Sequence, residues 1–79
     1  MSESQTTTKA GPEAYASAEP IMQFFTYGHL PPHLGEVSQP FGDLAVRLVE
    51  TLPRNPERTV ALRKLLESKD AAVRARLAK

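Results

Sequence analysis

Leu52-Pro53-Arg54-Asn55-Pro56-Glu57 punctuates the chain more sharply than any other stretch, and its reading decides the fold. Pro53 disfavours helix at the residue before it, so a helix arriving at Leu52 has to stop there. Asn55 is a preferred N-cap, and Pro56 suits a first helical position because its missing N–H would be unpaired there anyway. Glu57 adds negative charge at the positive end of the new helix. One helix ends and another begins within a few residues, and so short a connection lays the two side by side and antiparallel.

Upstream of this turn, Leu34, Val37, Phe41, Leu44, Leu48 and Leu52 recur at intervals of three and four, which draws one apolar stripe along a helix of about residues 32–52. Pro40 sits inside the pattern and deletes one ladder bond, so a kink is expected there. The rival reading starts the helix afresh near Gln39, but the stripe crosses the proline without a change of phase. Downstream, a second helix is expected over about residues 56–77, with Leu62, Leu65, Leu66, Val73 and Leu77 as its apolar positions. Ala71, Ala72, Ala75 and Ala78 leave room for close helix approach near its end.

Residues 1–19 are polar, small and aperiodic, and read as a disordered N-terminal tail. From Pro20 the composition changes, as Ile21, Met22, Phe24, Phe25 and Tyr27 cluster before Gly28 and Pro31-Pro32 interrupt them. This segment reads as a short aromatic arm opening a domain of residues 20–79. The expected fold is therefore all-α, an antiparallel two-helix hairpin with a short N-terminal aromatic arm. In a hairpin each helix meets its partner on one side only, so the apolar residues cannot all be buried and completion by homo-oligomerisation is expected. Any pocket then belongs where chains meet.

The 79 residues include no cysteine, which excludes a disulfide framework and thiolate metal ligands. The longest apolar run is far short of a membrane span, and Met-Ser-Glu-Ser-Gln-Thr-Thr-Thr lacks the basic and apolar regions of a signal peptide, so a soluble protein of the host cytoplasm is expected. The net charge of +1 conceals an asymmetry. Residues 1–53 carry two cations against six acids, a formal −4, whereas residues 54–79 carry eight cations against three acids, a formal +5. Such a split suits an anionic partner or packing of the acidic half on the basic half, within or between chains.

Little in the sequence points to catalysis. There is no phosphate-binding glycine loop, and His29 and His33 are separated by Leu30-Pro31-Pro32, a poor platform for a shared metal. Glu36, Asp43 and Glu50 step by seven along the first helix and read as a solvated or salt-bridged face rather than as paired catalytic carboxylates. No enzyme activity, cofactor or metal is expected. The cations of the second helix admit three readings. They are solvent-exposed, pairing Arg63 with Glu67 and Arg74 with Asp70; or they bind duplex nucleic acid, which the modest net charge and the lack of a third helix disfavour; or they hold a compact anionic ligand between protomers. On the last reading Arg58, Arg63, Lys69 and Arg74 contact phosphates and Phe25 or Tyr27 supplies a stacking surface. Packing of Phe24, Phe25 and Tyr27 onto the hairpin is the simpler alternative for the aromatics.

Three stretches carry a resemblance: Phe25-Thr-Tyr-Gly-His-Leu-Pro-Pro-His33, then Phe41-Gly-Asp-Leu-Ala45, then Leu52 to Ala75 with its Asn55-Pro-Glu-Arg-Thr-Val-Ala-Leu62 opening and Leu66-Glu-Ser-Lys69 element. Together they resemble the helical hairpin shared by phage anti-CBASS and anti-Thoeris proteins, sponges that sequester host cyclic nucleotide signals. Where many members have a small-residue run containing asparagine, this chain reads Asp70-Ala71-Ala72-Val73-Arg74. The resemblance implies a phage-encoded homo-oligomer, a hexamer among the assemblies it allows. It further implies binding of cyclic dinucleotides, cyclic trinucleotides or cyclic ADP-ribose isomers at protomer interfaces without cleavage. The alternative expectation is a small helical interaction module that binds a host protein.

Overall fold

The structure is a computed structural model that describes residues 10–78. It is helical, with two long helices packed against each other, α1 over Pro32–Thr51 and α2 over Pro56–Leu77. Two short 3₁₀ helices, Pro12–Tyr15 and Pro20–Phe25, precede them. Among the described residues no helix is long and apolar enough to cross a membrane.

The turn between the long helices follows from its chemistry. Leu52 leaves helical geometry with φ −103° and ψ 144°, as a residue before proline should. Asn55 caps α2, its side-chain oxygen accepting from the Arg58 backbone N–H at 2.9 Å. Pro40 does not end α1, which runs through it as one helix. What the proline removes is the donor for the Glu36 carbonyl, four residues earlier.

The core departs from the expected leucine stripe. On α1 the buried positions are Ser38, Gly42, Ala45 and Val46, all small or medium. Leu34, Val37, Phe41 and Leu48 are half-buried beside them, and Leu44 and Leu52 are exposed at 44% and 39%. The cause is the N-terminal segment, whose backbone lies directly on this face. A Cβ added at Gly42 would come within 2.8 Å of the Phe25 carbonyl and 2.9 Å of the Tyr27 ring. Only a glycine admits so close a crossing, and that close fit offsets its usual cost inside a helix, about 0.5–1 kcal/mol relative to alanine. On α2, Leu62 and Leu66 are buried and Leu65 and Val73 half-buried, while Leu77 is exposed.

Met22 and Phe25 from the N-terminal segment are fully enclosed and join Ala45, Val46, Leu62 and Leu66 as one core. The expected tail is thereby corrected in part. Residues 1–9 lie outside the described residues, but residues 10–19 are folded onto the hairpin. Pro12 is buried, Tyr15 packs on the core, and the Tyr15 hydroxyl donates to Glu50 of α1. Proline-started 3₁₀ turns and a single aromatic ring are enough to dock a segment that shows no long-range periodicity. One side of the hairpin is thus covered from within the chain.

The other side is covered less completely. At 3.6 residues per turn, Val37, Phe41, Leu44 and Leu48 lie roughly half a turn around α1 from Asp43 and Glu50, where Tyr27 and Tyr15 attach. Along that edge Leu44 stands exposed, while Phe41 and Leu48 are half-buried against the core. Among the described residues one buried side-chain polar atom lacks a partner, the Ser38 hydroxyl, on a residue only 1% exposed. A buried hydroxyl without a hydrogen bond is a desolvation cost, so Ser38→Ala is expected to leave stability unchanged or raise it by about 1–2 kcal/mol, read as the shift in a denaturant midpoint.

Candidate ligand-binding site

A groove of about 540 Å³ opens at the N-terminal half of α1, lined by Tyr27, Pro32, Gly35, Glu36, Gln39, Pro40 and Asp43. Tyr27 forms one wall. Its hydroxyl donates to Asp43 Oδ1 at 3.0 Å, which fixes the ring beside Gly42. Glu36 forms the rim, and Arg76 from the last turn of α2 crosses to it. The guanidinium donates to Glu36 Oε1 at 3.0 Å and to the His33 carbonyl at 3.1 Å. This contact joins the start of α1 to the end of α2 and brings one cation to the edge of a groove whose other polar groups are mostly acceptors.

Of the residues expected to meet a ligand, the structure brings only Tyr27 to this groove. Phe25 is fully enclosed in the core and has no face left for a base. Arg58 is 5% exposed, and its guanidinium is occupied: it donates to the Val49 and Leu52 carbonyls, each at 3.2 Å, and pairs with Glu19. Those carbonyls close the C-terminal end of α1, where a cation meets the negative end of the helix dipole. Arg58 is therefore a structural clasp in this fold rather than a free phosphate contact. Lys69 keeps 14% of its side chain exposed and pairs with Asp70 at 3.1 Å. Arg63 and Arg74 are exposed on α2.

The expected Arg63–Glu67 and Arg74–Asp70 pairs do not form. Glu67 instead meets Lys64 at 3.6 Å, one residue closer in sequence, and Asp70 meets its neighbour Lys69. Exposed long side chains hold such pairs weakly, and several geometries compete at nearly equal free energy. Glu36, Gln39 and Arg76 were not among the expected site residues. The seven-residue step from Glu36 to Asp43 did signal a shared face, but only the crossing of Tyr27 turns that face into a groove.

Both tyrosines of the chain hold their protons more tightly than usual. Burial, then the hydrogen bond and charge of Asp43, then Glu13, raise the Tyr27 pKa above its ordinary 10.0. For Tyr15 the hydrogen bond to Glu50 leads, followed by burial and the Glu50 charge, again in the upward direction from 10.0. A group whose folded pKa lies above its unfolded one supports the fold fully below the unfolded value and loses that support as pH rises through the folded value. Stability conferred by these bonds is therefore expected to hold to about pH 10 and to fall above it. Tyrosinate absorbance should rise later in the folded chain than in the chain unfolded in denaturant; coincident curves would show that neither hydroxyl is held.

Among the described residues no group of three or more histidine, aspartate or glutamate side chains could hold a metal ion. Comparison of the chain with protein-family models, with curated proteins and with solved structures gives no match.

Proposed function

We propose that this chain is a non-catalytic, homo-oligomeric phage sponge that binds a host cyclic nucleotide signal at protomer interfaces and holds it intact. The observation that carries the reading is the Tyr27 groove, an aromatic wall beside hydrogen-bonding groups on a hairpin whose far edge leaves Leu44 exposed. A base stacks on Tyr27, where the acceptor-rich wall keeps phosphates out. The phosphates are met by Arg76 at the rim, by the exposed Arg63 and Arg74 and by Lys69, from the same or a neighbouring protomer. Val37, Phe41, Leu44 and Leu48 form the contact between copies. The resemblance of the turn and of the Phe25–His33 stretch to anti-CBASS and anti-Thoeris sponges agrees with this division of labour.

The test is a calorimetric titration of the full chain with cyclic dinucleotides, cyclic trinucleotides and cyclic ADP-ribose isomers, followed by heat denaturation and analysis of what is released. The expected result is binding of at least one of them and its recovery unchanged. Absence of binding by every compound at micromolar protein, or recovery of a cleaved product, would overturn the reading. A second reading is favoured by Phe24, which stands 56% exposed on the N-terminal segment, and by the exposed Leu44 on α1: a small helical module that binds a host protein. A stoichiometric host partner that displaces self-association supports that alternative.

A further inference from the structure

We propose that the groove beneath Tyr27 is a guanine-selective base pocket, an inference that rests on the reading of the ligand as a nucleotide. Its basis is the hydrogen-bonding sense of the groove. The Tyr27 hydroxyl is directed to Asp43 Oδ1, and the Arg76 contact takes Glu36 Oε1. The second oxygen of each carboxylate accepts no hydrogen bond among the described residues. Pro40, four residues after Glu36, adds no N–H donor to this wall. With the Tyr27 hydroxyl proton given to Asp43, Gln39 is the lining side chain still able both to donate and to accept.

A wall of acceptors selects a ligand edge made of donors. Guanine presents N1–H and the N2 amino group side by side, which one carboxylate can accept together. Adenine presents its N6 amino group beside the N1 acceptor, and that lone pair would face a carboxylate oxygen. The base plane stacks on Tyr27, as unstacked bases do on aromatic side chains. Asp43 is the specificity-determining group, because its hydrogen bond from Tyr27 holds it at a fixed distance from the stacking face. A bidentate contact of this kind discriminates between bases by about tenfold or more.

The full chain is titrated with guanosine, inosine and adenosine monophosphates and with cyclic diguanylate and cyclic diadenylate. Guanine is expected to bind at least about tenfold tighter than adenine, with inosine, which lacks the N2 amino group, between them. Asp43→Asn keeps an oxygen for the Tyr27 hydroxyl and replaces the other oxygen by a donor. It should lower guanine affinity by about tenfold and raise affinity for xanthosine monophosphate, whose C2 carbonyl accepts. Circular dichroism checks that each variant is folded, and Tyr27→Phe, which keeps the stacking ring but removes the hydrogen bond that holds Asp43, should still bind the nucleotide with a smaller preference for guanine over adenine. Equal binding of cyclic diguanylate and cyclic diadenylate, unchanged in Asp43→Asn, would overturn the pocket and leave the sequestering function standing. Displacement of guanosine monophosphate by free arginine at equal concentration would also overturn it, since the wall would then be a site for a protein guanidinium. Failure of every nucleotide to bind would overturn both the pocket and the function.

Discussion

Phe25→Ala is expected to destabilise the chain by about 3–5 kcal/mol, the range for removing a large aromatic from a closed core. The ring is fully enclosed, and it meets Met22 from its own segment as well as the core residues of both long helices. Truncation would open a cavity at the one place where segment, α1 and α2 come together. The backbone around it has little freedom to collapse, because the Phe25 carbonyl already rests against Gly42. For a domain of this size the total stability is of the same order, so a large unfolded fraction is expected in water at 25 °C. Denaturant titration followed by circular dichroism reads the effect. A loss below about 1 kcal/mol would mean that the N-terminal segment is an accessory to the hairpin rather than part of its core.

Arg58→Ala is expected to cost a similar amount, about 3–5 kcal/mol, for an electrostatic reason. Arg58 lies in the first turn of α2, where a cation opposes the helix dipole, yet its guanidinium reaches the opposite end of α1. There it satisfies the Val49 and Leu52 carbonyls and the Glu19 carboxylate, itself only 15% exposed. Removing it strands a largely buried carboxylate and two carbonyls at once. Arg54 reaches the same Glu19 oxygen at 3.5 Å, but its side chain is 70% exposed and cannot replace the buried contact. Arg58→Lys should recover little, since an ammonium cannot address three acceptors with the planar fork of a guanidinium. The double variant Arg58→Met with Glu19→Gln should recover a measurable part, because no charge is then left unpaired. If Arg58→Ala weakened ligand binding with unchanged stability, Arg58 would be a phosphate contact and its role as a clasp would be withdrawn.

The elements that could be read from sequence were those whose signals are local. Pro53, Asn55 and Pro56 dictate the turn through backbone sterics and a side-chain cap, so the antiparallel arrangement of two long helices follows from six residues. The face that each helix buries was harder to read. The leucine stripe of α1 has the right period but the wrong centre, because the buried face is set by how closely another backbone approaches, and a close approach calls for Gly42 and Ala45 instead of leucine. Phe41-Gly42-Asp43 carried that information in its glycine, which has no helical reason to be there. Residues 10–19 read as a disordered tail because the segment is fastened by Tyr15, Glu19 and Pro12, the first two acting on partners 35 and more positions away. The groove was hidden for the same reason: its carboxylates and its tyrosine come from separate elements. Likewise Arg58 looks like any other cation of α2 until its two distant carbonyls are in view.

With the N-terminal segment covering one side of the hairpin, the surface proposed for a second copy is the edge of α1 where Leu44 stands exposed beside the half-buried Val37, Phe41 and Leu48. Whether a second copy closes that edge is decided by the mass of the full chain in solution, measured by sedimentation equilibrium beside a Leu44→Glu variant. Leu44 is already 44% exposed, so a charge there should leave the fold intact and disrupt only a contact between copies. The expected result is a species of several copies at micromolar concentration that falls apart in the variant. A folded monomer of 8.7 kDa at every concentration, alike in both proteins, would contradict it.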